Sequence, residues 1–170
     1  MVPRELALVP KVFLPKAGVF YLKGLTDMGK DYQEIEHMAD VGLKAFGETK
    51  EKLFENSARG MFFIITGSSE FARQENEQYR TIKCEGSDIE HLLVEWLSEL
   101  LYIHTTALVI FDSFNIKRLT DNNLQAEARG IKISDSSYNI EKEIKAVTYN
   151  NLQVTRNEEG YWEATIIFDI

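Results

Sequence analysis

Residues 108–133, LVIFDSFNIKRLTDNNLQAEARGIKI, decide the class of fold. Two runs rich in aliphatic and aromatic side chains, 108–119 and 124–133, lie on either side of the polar residues TDNN at 120–123. Apolar runs of this length are typical of strands, and Asp and Asn are typical of tight turns. The stretch therefore predicts two strands joined by a hairpin turn, which makes them antiparallel.

The end of the chain repeats the hairpin pattern. Residues 152–156 and 161–168 flank NEEG at 157–160, and alternate residues of the last run share one apolar face. Four further runs predict strands, at 32–37, 41–46, 79–84 and 143–149.

Two stretches have apolar residues at the three- and four-residue spacing of a helix. The first begins after Thr49, a good N-cap residue, and ends at TGS, 66–68. The second begins with SDIE at 87–90, which predicts a capping box with Ser87 as the N-cap and Glu90 as its partner. Its apolar stripe, wide enough to cover a sheet face, contains Ile89, Leu92, Leu93, Trp96, Leu97, Leu100 and Leu101.

Two helices among about seven strands, joined by hairpins rather than helical crossovers, predict an α+β fold with a largely antiparallel sheet packed with two helices. The chain has 170 residues, which suits one domain with its own core. All three prolines lie in residues 1–30, which carry five basic and two acidic side chains, whereas residues 31–170 carry 14 basic and 25 acidic ones. We therefore expect an N-terminal extension at 1–30 and a folded domain at 31–170, with Met28 as a candidate for the true start.

Charge and cysteine content exclude several classes of protein. A net charge of −8 repels phosphate backbones, so stable binding of nucleic acid by this chain alone is not expected. Cys84 is the only cysteine, which excludes an internal disulfide and a multi-cysteine zinc site and favours the reducing cytoplasm. Glu95 and Glu99 interrupt the most apolar stretch, so no membrane span is expected.

The sequence contains no phosphate-binding glycine loop, nucleophile elbow or metalloprotease helix. Three short motifs remain: EHMADVG at 36–42, EIKAVTY at 143–149 and FDI at 168–170. In this order they resemble the archease family, whose members carry H-T-A-D near the start, E-[IV]-K-A-x-T-Y late in the chain and Asp-Ile at its end. The sequence departs from that pattern at Met38, where threonine is commoner, and at Asn150, where relatives often carry histidine or serine.

The resemblance implies an accessory protein that is not itself an enzyme. Archeases activate the RtcB-type tRNA-splicing RNA ligase, which joins a 2′,3′-cyclic phosphate or 3′-phosphate RNA end to a 5′-hydroxyl end. They promote transfer of GMP from GTP to the ligase's histidine, sustain multiple turnover and broaden which nucleoside triphosphate is accepted. The resemblance also implies a divalent cation, calcium in relatives, held at the positions of Asp40, Asp169 and Ile170.

The residue types at these three positions suit a hard cation. Two carboxylates and a main-chain or terminal oxygen of Ile170 form an all-oxygen ligand set, which is typical of calcium, magnesium and manganese. The alternative is that Asp40 caps a turn between two strands and that Asp169 is a solvated strand end.

Two further residues are candidates with an uncertain role. His37 is more typical of a structural hydrogen-bonding group than of a metal ligand. If Ile144, Ala146 and Thr148 face the core, Lys145 projects to the polar face that Asp169 occupies. There it can neutralise a carboxylate or contact a phosphate, or it can be an ordinary solvated lysine.

Two other functions are considered. One is a chaperone or specificity modulator of another RNA-modifying enzyme, such as a tRNA methyltransferase. The other, a metal-dependent hydrolase, is the weakest because no general base or nucleophile accompanies the carboxylates.

Overall fold

The computed structural model describes residues 32–36, 40–68, 77–133 and 140–170. In these ranges the elements are β1 (Tyr32–Glu36), β2 (Asp40–Gly47), α1 (Lys50–Thr66), β3 (Glu77–Glu85), α2 (Ile89–Ala107), β4 (Val109–Leu119), β5 (Asn123–Lys132), β6 (Ala146–Thr148), β7 (Val154–Arg156) and β8 (Trp162–Asp169). The predicted extension at 1–30, with Met28, and the candidate His37 lie outside the described residues.

The eight described strands form two antiparallel sheets. In the five-stranded sheet β8 is central: β2 pairs with one edge of it, β6 and β7 pair with the other edge, and β1 pairs with β2. In the three-stranded sheet β5 lies between β3 and β4. These findings confirm the predicted α+β class with antiparallel strands and two helices. The strand patterns alone did not indicate that the strands divide between two sheets.

Both helices pack against strands of both sheets. The α1 helix contacts β1, β2 and β8 of the larger sheet and β4 of the smaller one, and α2 contacts β3, β4, β5 and β6. Trp96 of α2 is fully buried, and its indole N–H donates to the main-chain oxygen of Phe54 in α1 (3.1 Å). The Phe62 ring meets Phe111 edge-on, with centroids 5.6 Å apart. Neither helix of the described chain is long and apolar enough to cross a membrane.

The predicted ends of α1 are confirmed. The Thr49 hydroxyl accepts a hydrogen bond from the Lys52 N–H (3.2 Å), which satisfies one of the free donors of the first turn. At the other end Gly67 adopts a left-handed conformation (φ 66°), and its N–H donates to the Phe63 carbonyl (2.7 Å). A residue with a side chain is strained in that conformation, so glycine ends the helix there.

The N-cap of α2 is Asp88, so the predicted Ser87 cap is wrong. The Asp88 carboxylate accepts the His91 N–H (2.8 Å), and this bond holds the pKa of Asp88 below its ordinary value. The Glu90 carboxylate does not close a capping box but accepts the Val154 N–H of β7 (3.1 Å). A bond to a distant strand thus replaces the local bond that the sequence motif predicted.

Of the residues predicted to form a strand at 143–149, only 146–148 do so, as β6. Val147 is buried, whereas Ala146 is exposed and Thr148 is half-buried. The predicted core face of Ile144, Ala146 and Thr148 is therefore wrong for the last two, although Ile144 is buried. The reason is that residues 140–145 lie outside the strand, so its alternation begins only at Ala146.

Candidate metal centre

Two of the predicted site residues, Asp40 and Asp169, lie directly opposite each other at one end of the β2·β8 pair. Asp40 is the first residue of β2, and Asp169 is the last residue of β8. Opposite residues of an antiparallel pair project from the same face, with Cβ atoms about 4.5–5.5 Å apart. The strand register therefore brings together two carboxylates from distant parts of the sequence.

The two aspartates belong to the outer face of the five-stranded sheet. The neighbouring opposed residues, Val41 and Phe168, are both buried in the core. Since successive side chains of a strand alternate between its faces, Asp40 and Asp169 project away from that core. Asp40 is half-buried and Asp169 is exposed, so the Asp169 carboxylate is accessible to a ligand.

A third carboxylate on this face is already paired. Glu163, further along β8, forms an ion pair with Lys44 of β2 (Oε2 to Nζ 3.3 Å). Neither Asp40 nor Asp169 has a basic side chain within ion-pair distance among the residues that the structure describes. Among the described residues, this end of the sheet therefore has two carboxylates with no basic side chain in contact.

Lys145 is joined to this end of the sheet through its main chain. Its N–H donates to the main-chain oxygen of Asp169 (2.8 Å), and the following residue, Ala146, lies opposite Asp169 in the β6·β8 pair. The Lys145 side chain is exposed, and in the described part of the chain its ammonium forms no ion pair. Lys145 is thus held beside Asp169, but by a hydrogen bond and not by the strand alternation from which its position was predicted.

Ile170, the third predicted ligand residue, follows β8 directly and is 38% exposed. Its oxygen atoms therefore belong to the same end of the sheet as the two aspartates. His37, three residues before Asp40, lies outside the described residues, so its part in the site stays a prediction.

The donor set fits a hard divalent cation that keeps some of its water. Across the described ranges, no three His, Cys, Asp or Glu side chains lie close enough together to hold a metal by themselves. The available donors are the carboxylates of Asp40 and Asp169 and an oxygen of Ile170. Calcium takes about six to eight oxygen ligands and accepts carbonyls and water among them, and magnesium keeps several waters. Zinc and copper favour nitrogen or sulfur donors, which this set lacks.

Tyr149, the last residue of the EIKAVTY motif, contacts α2 and was not singled out from the sequence. The residue is 55% exposed, and its ring meets that of His91 on α2 with centroids 5.6 Å apart. Partial desolvation and the carboxylates of Glu95 and Asp88 raise the pKa of Tyr149. The signal that could have found it is its place at the end of the EIKAVTY motif, four residues after Lys145.

The sequence matches the model of one known protein family over most of its length. The model described as the Archease protein family (MTH1598/TM1083) matches residues 32–170, a range that contains every described strand and helix. The chain belongs to the archease family. The archease match includes all three motifs quoted above, and with them Asp40, Lys145 and Asp169.

Individual archeases are similar over most of their length. The archease of Methanosarcina barkeri is 37% identical over 150 residues, which cover 86% of this chain and 100% of that protein. The archease of Pyrococcus abyssi is 32% identical over 144 residues, covering 83% of this chain and 99% of the relative.

Two solved structures share the archease fold. The solution structure of Methanobacterium thermoautotrophicum protein 1598 has a TM-score of 0.63 and 30% identity, and the match covers 82% of this chain and 98% of that one. The crystal structure of an archease from Thermotoga maritima, named as a possible chaperone, has a TM-score of 0.55 and 23% identity, covering 80% and 94% of the two chains. The second likeness is one of fold alone.

Proposed function

We propose that this archease is a protein cofactor that activates an RtcB-type tRNA-splicing RNA ligase in the cytoplasm and catalyses no reaction alone. It promotes guanylylation of the ligase's histidine, sustains multiple turnover and broadens which nucleoside triphosphate is used. The observation that supports this proposal most is the opposed pair Asp40 and Asp169, because in a chain of this family the acidic residues of two separate motifs meet at one point.

The proposed ligand of this pair is a divalent cation, calcium or alternatively magnesium or manganese. Asp40 and Asp169 supply carboxylate oxygens, Ile170 supplies a main-chain or terminal oxygen, and water completes the shell. Such a cation, when bound, supplies positive charge that neutralises and orients phosphate oxygens.

The chain's own basic group at this end is Lys145. The hydrogen bond from its N–H to the Asp169 oxygen fixes its main chain, so only the side chain remains to be ordered when the ammonium meets an anion. Because the ammonium carries three donors and forms no ion pair with a described residue, it is available to a phosphate of the ligase–nucleotide complex. The net charge of −8 favours encounter with a basic, RNA-binding enzyme.

Single-turnover guanylylation of the cognate ligase tests the proposal. The ligase is mixed with GTP and a divalent cation, and the covalent GMP adduct is measured at increasing ratios of this protein. We expect the rate of adduct formation to rise with the ratio until it saturates. If the rate is unchanged at every ratio, the proposal fails.

The alternative is a chaperone or specificity modulator of another RNA-modifying enzyme, such as a tRNA methyltransferase. One observation favours it: Tyr102 and Leu108 are large hydrophobic residues that are each more than half exposed. A pull-down from native extract distinguishes the two functions. Recovery of the ligase supports activation, and recovery of a methyltransferase without the ligase supports the alternative.

A further inference from the structure

A row of polar side chains crosses the outer face of the three-stranded sheet. Lys83 of β3 lies opposite Gln125 of β5, and Gln125 lies opposite Arg118 of β4. All three are exposed, whereas the neighbours Cys84 and Leu124 are buried. This row belongs to a different sheet from Asp40 and Asp169, so it is separate from the candidate metal centre.

The row lines an open cleft of about 300 Å³. Asn123 and Glu85, which lie opposite each other two residues away from Gln125 and Lys83, line it too. Sites for small ligands typically measure about 300–1,000 Å³. The cleft therefore has room for a small molecule or a short polar chain, but not for a folded partner.

Among the described residues, the two cations of this cleft have no acidic partner, unlike their neighbours. Lys117 pairs with Glu127 (3.0 Å) and Arg129 pairs with Asp112 (3.6 Å). Within the described ranges, neither Lys83 nor Arg118 forms an ion pair or a side-chain hydrogen bond. Glu85 is the one acidic side chain in the lining, so the cleft has a net charge of +1 on a chain whose total is −8.

The arrangement of donors selects the class of anion. Neighbouring strands lie about 4.8 Å apart, which places the main chains of Lys83 and Arg118 roughly 10 Å apart with the Gln125 amide between them. A guanidinium binds phosphate oxygens in pairs, an ammonium binds them as a point charge, and an amide N–H₂ donates two further hydrogen bonds. A single carboxylate does not span such a row, whereas a chain of linked phosphoryl groups presents oxygens along it.

We propose that this cleft binds a short phosphate chain, a di- or triphosphate, with Lys83 and Arg118 at its two ends and Gln125 at its middle. The Glu85 carboxylate at the edge of the lining repels the anion and weakens its binding. The proposal goes beyond the activation of a ligase and does not depend on it.

Calorimetric titration of the full chain with inorganic tripolyphosphate tests the proposal. EDTA is present, so that a divalent cation at Asp40 and Asp169 cannot bridge to the anion. We expect Lys83→Ala and Arg118→Ala each to weaken binding about tenfold, the effect of losing a charge-assisted contact. Glu85→Gln, which removes the repelling charge, should tighten it.

Lys117→Ala is the matched control, because it removes one positive charge from the same sheet face but from a lysine that is already paired with Glu127. Its affinity for tripolyphosphate should equal that of the wild type. All four substituted residues are exposed, so the variants should melt as the wild type does. No binding of tripolyphosphate at millimolar concentration, or equal weakening by Lys117→Ala, overturns the proposal.

A parallel titration with ATP identifies the source of the phosphate chain. If the variants rank in the same order of affinity for ATP as for tripolyphosphate, the cleft recognises the phosphate chain. If ATP binds and tripolyphosphate does not, the base or sugar carries the interaction and the proposal is wrong.

Discussion

Asp40 and Asp169 face each other across the last position of the β2·β8 pair, and the main-chain oxygen of Asp169 accepts the N–H of Lys145 (2.8 Å). One end of the five-stranded sheet thus joins residues from all three short motifs of the sequence. Strands on both sides of β8 hold this end, so its geometry is set by the sheet rather than by a loop.

The first prediction concerns cation binding. Asp40→Asn and Asp169→Asn each remove a charged oxygen ligand, so the calcium affinity measured by calorimetry should fall. The loss should be at least roughly 10–100-fold, which is the effect of mutating residues that only hydrogen-bond to metal ligands. The control is Glu163→Gln, which removes the same charge from the same sheet face but from a residue paired with Lys44. Equal calcium affinity in the wild type and both aspartate variants would show that the two aspartates have only a structural role.

The second prediction separates the main chain of Lys145 from its side chain. Lys145→Gln keeps the N–H bond to Asp169, so thermal unfolding should match the wild type. The charge is lost, so acceleration of ligase guanylylation should be reduced. Lys145→Arg keeps the charge and should restore most of the effect. If the Gln variant accelerates the ligase as well as the wild type does, Lys145 is an ordinary surface lysine.

The sequence predicted the start of a helix correctly where contacts between neighbouring residues determine it. Thr49 caps α1 as expected, and its hydroxyl accepts the N–H of Lys52, three residues along the chain. Ser87 fails as a cap because Asp88 is a competing cap one residue later and Glu90 bonds to β7 instead. The Thr49 cap depends only on neighbouring residues. The Ser87–Glu90 capping box fails because Glu90 binds a strand more than sixty residues away.

The candidate site, too, could be predicted only in part from the sequence. The family motifs selected Asp40, Lys145 and Asp169, but only the strand register shows that the two aspartates are opposed. The position of Lys145 could not be obtained from alternation, because it lies just before β6. The cleft at Lys83 and Arg118 was not predicted at all, since it depends on which strands are neighbours in the second sheet.

The third prediction concerns a buried carboxylate that joins α1 to β4. Glu55 is 5% exposed, and it accepts the Ile116 N–H (3.1 Å) and pairs with Lys52 (2.6 Å). Glu55→Ala leaves the Ile116 N–H without its acceptor, so urea unfolding should show a loss of about 1–3 kcal/mol. Glu55→Gln keeps an acceptor oxygen and should lose less. Identical losses in the two variants would show that this hydrogen bond contributes nothing.

The fourth prediction concerns pH. Burial, with smaller effects of Glu99 and Glu95, raises the pKa of the Cys84 thiol to about 12. In the unfolded chain a cysteine ionises near pH ~8.5. Between these values the unfolded state releases a proton that the folded state keeps, so this thiol lowers the free energy of unfolding as pH rises.

Urea unfolding of the wild type and of Cys84→Ala at about pH 8 and pH 10 measures this effect. The wild type should lose more stability than the variant over that interval, by at most ~1.4 kcal/mol per pH unit. Parallel losses would mean that the thiol ionises in the folded protein as it does in the unfolded chain.

The most direct test of the central claim is the guanylylation rate of the cognate ligase with the double variant Asp40→Asn/Asp169→Asn, compared with the wild type and with Glu163→Gln. All three proteins are first shown to unfold at the same temperature. We expect the wild type and Glu163→Gln to accelerate formation of the GMP adduct and the double variant to leave the rate at that of the ligase alone. Full acceleration by the double variant would contradict the account, because activation would then not depend on the opposed aspartates.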